Sequence, residues 1–234
     1  MNIVIVSLDV QPGPRVNFSI PFYCKITGGE RTPRQFVKLR VDNITKLKNE
    51  AMEETLARFP DATHVAMVES YYLGQTKSVE KLVELYSSFD DPNIILGAPV
   101  WVYTVHEWFR RCTFYDAWAC PELKKLRRRD CPTGLVQVNS VGSAIIFPVW
   151  VWRKFRFANP DYPDKIYYNW LCENSGLPVL IEMSIRFERC TINGVNLTRF
   201  SWFWRVFSWF YLNTLEHLLH RRPDQQVSLL GIKL

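Results

Sequence analysis

The chain has 234 residues, of which 47% are hydrophobic and 22% are charged, and it contains only 10 glycines. This composition excludes an intrinsically disordered chain and can supply the core of one α/β domain with a short extension. A formal net charge of +6 favours an anionic partner, a class that includes nucleotide phosphates, nucleic acids and anionic membrane surfaces.

Cysteine spacing and the first residues bear on the cellular compartment. The six cysteines contain neither a Cys-x-x-Cys pair nor a zinc-ligand spacing, which predicts reduced, partly buried thiols rather than a disulfide framework. The apolar run at the start is too short for a secretion signal, and no stretch reaches the roughly 18–20 apolar residues that span a bilayer. We therefore expect a cytoplasmic protein.

The amino-terminal half alternates short apolar runs with helical patterns. Residues 3–6 form a β-branched run typical of a central strand that is buried on both faces. The alternation over residues 35–41 predicts a second strand. The segments that follow are predicted as a helix at 44–59, a strand at 64–68, a helix at 78–89 and a strand at 93–96. This order predicts a doubly wound, mostly parallel sheet with helices on both faces.

The carboxyl-terminal half shows fewer regular patterns. Residues 101–131 are aromatic, basic and irregular, and they predict a long connection with one or two helices. Residues 135–147 predict paired strands around Gly142. Residues 164–174 predict a helix, and residues 178–183 predict a late strand.

Residues 200–220 are far richer in aromatic side chains than a solvated tail. As a helix, this segment places a few polar residues on one side and a broad apolar face on the other. Such a face fits a helix lying flat in a membrane interface, and it also fits packing onto the domain or onto a second copy of the chain. The chain is thus divided into a domain over residues 1–196 and an amphipathic, aromatic helical extension over residues 197–234.

Acidic residues follow three of the predicted strands, namely Asp9, Asp42 and Glu69. Ligands of doubly wound sheets bind beyond the carboxyl ends of the strands, so these residues are candidates for one site. A carboxylate there can hold a divalent cation that bridges a diphosphate, and the position of Glu69 suits that role. Tyr71 stands where a second carboxylate would strengthen the site. The alternative is that Glu69 only caps a strand end.

Four segments, in the order of their occurrence, resemble motifs of the GT-A glycosyltransferases of the family 2 type. Lys-Asn-Glu-Ala at 48–51 is similar to the family's Arg/Lys-Asn-x-Ala, and Glu-Ser-Tyr at 69–71 stands where the family has its Asp-x-Asp metal motif. The strand at 140–147 resembles the family's glycine-containing strand beside the acceptor. Pro-Asp-Lys-Ile-Tyr-Tyr at 163–168 resembles the helix start that carries the family's Glu-Asp catalytic pair. The resemblance implies a Rossmann-like GT-A fold with a mixed, mostly parallel sheet.

The resemblance also implies roles for individual residues. The donor, a nucleotide-diphosphate sugar, would be bound by Ser7, Asp9, Asp42, Lys48 and Glu69. Asp42 would face the base, Lys48 would lie near the diphosphate, and Glu69 would be the surviving ligand of Mn²⁺ or Mg²⁺. Asp164 would be the general base of an inverting transfer, although a carboxylate at a helix start is also favoured by the helix dipole alone.

The sequence departs from the family at the metal motif, at Pro163 in place of the first acid of the catalytic pair, and in lacking the late histidine ligand. We therefore expect weak or absent metal dependence in a cytoplasmic, membrane-peripheral glycosyltransferase with an unknown acceptor. The alternative is a catalytically inactive GT-A-like protein that binds a nucleotide or a partner. A nucleotidyltransferase ranks third because the loop after the first strand imitates a glycine-rich loop only faintly. No nucleic-acid partner is expected.

Overall fold

The computed structural model describes residues 1–9, 17–27, 37–104, 113–114, 133–142, 144–161, 167–185, 187–192 and 195–196. Within these ranges the chain is an α/β protein with four α-helices and two β-sheets. None of the described helices is long and apolar enough to cross a membrane. The predicted aromatic extension over residues 197–234 lies outside the described residues.

The main sheet has seven strands in the order β2-β1-β3-β8-β4-β9-β7. Its strands are β1 (Ile3–Asp9), β2 (Phe22–Ile26), β3 (His64–Val68), β4 (Ile95–Gly97), β7 (Leu135–Gln137), β8 (Ala144–Pro148) and β9 (Val179–Glu182). A second sheet has the order β11-β10-β5-β6. Its strands are β5 (Val100–Thr104), β6 (Thr113–Phe114), β10 (Phe187–Ile192) and β11 (Val195–Asn196).

Strand directions make the main sheet mixed but mostly parallel. β1 is parallel to β2 and β3, and β4 is parallel to β9. β8 is antiparallel to both of its neighbours, β3 and β4, and β7 is antiparallel to β9. All strands except β7 and β8 therefore run the same way, as the sequence predicted. We call the edge at which these strands end the carboxyl edge, and the opposite edge the amino edge.

The four helices are α1 (Val37–Arg58), α2 (Thr76–Ser87), α3 (Val149–Phe155) and α4 (Tyr167–Ser175). One face of the main sheet packs against α1, α3 and α4, in a core that includes Met52, Val151 and Leu171. The other face packs against α2 and the second sheet, in a core that includes Leu82 and Phe187. Helices therefore cover both faces, which confirms the predicted α/β layering.

Strand β3 explains why the buried runs lack a polar alternation. All five of its residues are buried, and Val65 and Met67 belong to one core whereas Ala66 and Val68 belong to the other. A strand covered on both faces favours apolar side chains along its length, and in β3 the four residues after His64 are apolar. Burial also explains the helix predicted at 78–89. Its apolar stripe becomes the buried side of α2.

Two predictions about strands were wrong. Residues 37–41 of the predicted strand at 35–41 belong to α1, and the second strand is instead β2 at the sheet margin. Val37 and Val41 are four residues apart, a spacing that fits a helix face as well as a strand. The strands within residues 135–147 do not pair with each other either, because β8 inserts between β3 and β4 while β7 pairs with β9.

Close packing at the carboxyl end of β4 requires a glycine. A Cβ atom added to Gly97 would lie 2.7 Å from Val141 Cβ and 3.1 Å from the Ala144 carbonyl oxygen. Carbon atoms do not approach so closely without displacing their neighbours. The absence of a side chain at Gly97 thus lets the residues that lead into β8 pack directly on β4.

Candidate functional site

A buried ion pair lies at the carboxyl end of β3. Lys48 projects from α1, and its Nζ is 2.8 Å from Glu69 Oε1 and 2.7 Å from the hydroxyl of Tyr168. The Lys48 side chain is 2% exposed, whereas the Glu69 side chain is 21% exposed. The pair is therefore closed to solvent at its ammonium and open at its carboxylate.

Aromatic rings surround the ammonium. Lys48 Nζ lies 4.8 Å from the ring centroid of Tyr167 and 4.7 Å from that of Tyr168, distances at which a cation is attracted to the ring faces. Met67 Sδ approaches the same ammonium at 3.8 Å. We call Lys48, Glu69, Tyr167 and Tyr168 together the Lys48 cluster. The cluster joins α1, β3 and the first turn of α4 at the carboxyl edge.

The neighbouring Asn49 fixes the chain that leads toward this cluster. Asn49 Oδ1 accepts hydrogen bonds from Trp152 Nε1 at 2.9 Å and from Phe157 N at 3.0 Å, and Asn49 Nδ2 donates to Phe157 O at 2.9 Å. Arg156, between these partners, has a positive φ of 55°, which is costly for a residue with a side chain. The three hydrogen bonds of Asn49 hold the turn after α3 in this conformation.

Phe157 connects that turn to the Lys48 cluster. Its ring makes edge contacts with Tyr167 at 6.4 Å and with Tyr168 at 5.8 Å between centroids. These aromatic pairs orient the two tyrosines that cover the ammonium. A continuous series of contacts therefore runs from Asn49 through Phe157 to the two tyrosines. It continues from their rings to Lys48 and from Lys48 to Glu69.

Asp42 lies elsewhere than the sequence predicted. It belongs to the first half of α1 rather than to a strand end, and its carboxylate accepts a hydrogen bond from Asn159 Nδ2. Asn159 Oδ1 accepts a second bond, at 2.8 Å, from Thr45 Oγ1. Asp42 thus anchors the chain between α3 and α4.

Ser7 occupies a buried position on β1. It is 1% exposed, and within the described part of the chain its hydroxyl has no hydrogen-bond partner. Strand alternation places Ser7 on the face of Ile3 and Ile5, which is the face covered by α2 and the second sheet. An unsatisfied buried hydroxyl is uncommon in proteins and is costly unless a ligand or water completes it.

Two predicted site residues, Asp9 and Asp164, have side chains outside the described part of the structure. Asp9 ends β1, but its side chain is not among those described, and Asp164 lies outside the described residues. The structure therefore brings together Lys48 and Glu69 among the predicted donor-binding residues. Within the described residues, neither Ser7 nor Asp42 is hydrogen-bonded to that pair. No group of three or more His, Cys, Asp or Glu side chains with metal-binding geometry occurs within the described ranges.

Sequence reasoning missed the partners of the pair. None of Tyr168, Asn159 and Phe157 was assigned to the site, because each acquires its contact only through tertiary packing. One signal was available, since Tyr167 and Tyr168 belong to the segment at 163–168 that resembles the family's catalytic helix start. Aromatic residues at that point could have been predicted to line the site.

Two titratable groups away from the cluster are structural. Burial of Cys172 raises the pKa of its thiol to about 11, so this cysteine stays protonated and unreactive, as predicted for a buried thiol. Burial lowers the pKa of His64, against the opposing effect of a hydrogen bond to the Pro92 carbonyl. His64 lies at the amino edge, where its ring packs 5.3 Å from that of Tyr86.

The fold defines an α/β protein with a mixed seven-stranded sheet and a buried ion pair at the carboxyl edge. No family model matches the sequence, and no curated protein is significantly similar to it. Among solved structures, the chain is similar to A197 from STIV, with a TM-score of 0.39 and 10% identity, over 77% of this chain and 82% of that one.

Proposed function

We propose that this chain is a glycosyltransferase that uses a nucleotide-diphosphate sugar, and that the Lys48 cluster belongs to its donor site. The observation that carries the proposal is Glu69, a partly exposed carboxylate that directly follows β3 and is held there by a buried ammonium. Ligands of mostly parallel sheets bind beyond the ends of the strands, and Glu69 stands at that edge.

The chemistry of the donor agrees with this arrangement. A nucleotide sugar offers hydroxyl groups on its ribose and on its sugar, and a fixed carboxylate oxygen is a strong acceptor for such groups. Because Lys48 and Tyr168 already hold one oxygen of Glu69, the carboxylate needs little reorganisation when a ligand arrives. Ser7, with its buried hydroxyl on β1, is proposed as a further donor contact.

The proposed transfer needs a base for the acceptor hydroxyl, and we assign that role to Asp164 on the strength of the sequence resemblance. In an inverting transfer the base removes the proton of the acceptor hydroxyl while its oxygen attacks the anomeric carbon. The bond from that carbon to the diphosphate breaks, and the nucleoside diphosphate leaves with the electron pair.

Thermal unfolding with a panel of nucleoside diphosphates and nucleotide sugars tests donor binding. We expect one base to raise the Tm of the wild type, and Glu69→Gln to reduce this shift. Lys46→Met is the matched control, because Lys46 lies on the same helix with a side chain that is 77% exposed. If no nucleotide shifts the Tm of the wild type, the proposal is wrong.

Binding without transfer is the second candidate function. The observation that favours it is Tyr71, which leaves the position two residues beyond Glu69 without a carboxylate. Once donor and acceptor are known, Asp164→Asn separates the two functions, because it should lower the transfer rate while leaving donor affinity nearly unchanged. A protein that binds the donor yet transfers no sugar to any acceptor would support the binding role.

A further inference from the structure

The Lys48 cluster has a charge balance that a metal site would not have. A divalent cation bound by a carboxylate needs the negative charge of that carboxylate, together with several further oxygen ligands. Here the charge of Glu69 is compensated at 2.8 Å by the Lys48 ammonium. A cation on the same carboxylate would lie close to this ammonium, and the two positive charges would repel each other.

Lys48 cannot withdraw to make room for such a cation. Its side chain is 2% exposed, and the ammonium donates to Tyr168 OH at 2.7 Å while two tyrosine rings flank it. Moving it away would break its ion pair with Glu69 and remove the cation from the two ring faces. The position of the charge is therefore set by the folded core rather than by ligand binding.

We infer that the Lys48 ammonium takes the place of a divalent cation at Glu69, so that this carboxylate accepts hydrogen bonds from ligand hydroxyl groups and binds no metal ion. The ligand part of this inference rests on the proposed function, whereas the exclusion of the cation rests only on the ion pair. Lys48 acts through Glu69 and is a positioning residue. An internally compensated carboxylate also repels an incoming diphosphate less than a free carboxylate would.

Manganese titration followed by EPR of free Mn²⁺ tests the exclusion without any nucleotide. We expect the wild type and Glu69→Gln to bind Mn²⁺ equally, because the inferred role of Glu69 in the wild type is not that of a metal ligand. Lys48→Met, which keeps the aliphatic stem but removes the charge, should bind Mn²⁺ about tenfold or more tightly than the wild type. Lys46→Met should leave Mn²⁺ binding unchanged.

Two outcomes would overturn the inference. One is Mn²⁺ binding by the wild type that Glu69→Gln abolishes. The other is a Lys48→Met protein with native circular dichroism that binds Mn²⁺ no better than the wild type. If Lys48→Met does not fold, the comparison of the wild type with Glu69→Gln still decides the question.

Nucleotide titration by calorimetry separates this inference from the proposed function. For the nucleoside diphosphate selected by thermal unfolding, we expect Kd values in EDTA and in Mg²⁺ that agree within about twofold. Binding that is about tenfold tighter in Mg²⁺ would overturn the inference while leaving the glycosyltransferase proposal intact. Failure of every nucleotide to bind in both buffers would reject that proposal, and the Mn²⁺ titration would still decide the role of Lys48.

Discussion

The two edges of the main sheet use polar groups in different ways. At the amino edge, neutral polar groups of the protein are hydrogen-bonded to one another. The Asn2 backbone N–H donates to Thr63 Oγ1 at 3.0 Å, and Tyr86 OH lies 2.7 Å from the Pro92 carbonyl and 3.0 Å from that of Ile94. These contacts join chain segments that are adjacent in space, and none of the three involves a charged group.

The carboxyl edge instead holds a buried charge and an unsatisfied group. Lys48 is almost fully buried against a carboxylate that is one-fifth exposed, and the hydroxyl of Ser7 has no partner within the described residues. Both arrangements cost stability relative to apolar packing. The comparison indicates that the amino edge stabilises the fold, whereas the carboxyl edge retains groups suited to a ligand.

The largest expected effect comes from separating the ion pair. Glu69→Leu removes the carboxylate that pairs with a buried ammonium and should lower the free energy of unfolding by about 3–5 kcal/mol. Lys48→Met should cost less, because the carboxylate it leaves behind can be solvated through its exposed fraction. Urea unfolding of both variants, with Lys46→Met as a surface control, measures the difference. If both variants lose the same free energy of unfolding, the difference in exposure between Lys48 and Glu69 has no energetic consequence.

The next largest effect is expected at Asn49. Asn49→Ala removes three hydrogen bonds and leaves Trp152 and the backbone of Phe157 without partners, so we expect a loss of about 2–3 kcal/mol. Because these bonds hold the turn that supports Tyr167 and Tyr168, the variant should also weaken the nucleotide-induced rise in Tm. Lys46→Met, on the same helix with a side chain that is 77% exposed, is the control. A destabilised variant with an undiminished ligand shift would separate Asn49 from the site.

A smaller effect should appear at the amino edge as a dependence of stability on pH. Since burial lowers the pKa of His64, the unfolded chain binds a proton that the folded chain does not as the pH falls below about 6.5. The free energy of unfolding should therefore decrease with falling pH, by at most about 1.4 kcal/mol per pH unit from this group. Urea unfolding between pH 7 and about pH 5, compared with His64→Gln, isolates this slope. An unchanged slope in the variant would assign the dependence to other groups.

The smallest effect compares two buried hydroxyls. Thr55 is 0% exposed and donates to the Ala51 carbonyl at 2.6 Å, so Thr55→Val should cost about 1 kcal/mol. Ser7 has no such bond, so Ser7→Ala should be neutral or stabilising by up to about 1 kcal/mol. The same Ser7→Ala variant should lose part of the nucleotide-induced rise in Tm. A loss of stability comparable to that of Thr55→Val would show that the Ser7 hydroxyl is satisfied in solution.

Hydrophobic patterns in the sequence were sufficient to predict the strands and the helix that are buried along their whole length or along one whole side. The apolar runs that became β1 and β3, and the helical stripe that became α2, are covered so completely that hydrophobic periodicity alone identifies them. The strand prediction at 35–41 failed because an alternating pattern with a four-residue spacing fits a helix too. The edge strand β2 was missed because its residues are only partly buried and carry a weak pattern.

The candidate site was predictable only in its parts. Lys48 and Glu69 were each assigned to the donor site through resemblance, but as separate contacts to a diphosphate and a metal. Their direct pairing depends on how α1 packs on the main sheet, and no spacing in the sequence encodes that distance. The second sheet escaped prediction for the same reason, because β5 and β10 pair although they are far apart in the chain.

The reversed direction of β8 has a consequence for the carboxyl edge. Among the inner strands of the main sheet, β8 is the one that starts at this edge, so the residues leading into it, including Val141, lie between the ends of β3 and β4. They divide the edge into a β1–β3 half, which holds Glu69, and a β4–β9 half. Each half therefore presents its own strand ends, and a substitution at the end of a strand in one half leaves the strand ends of the other half in place.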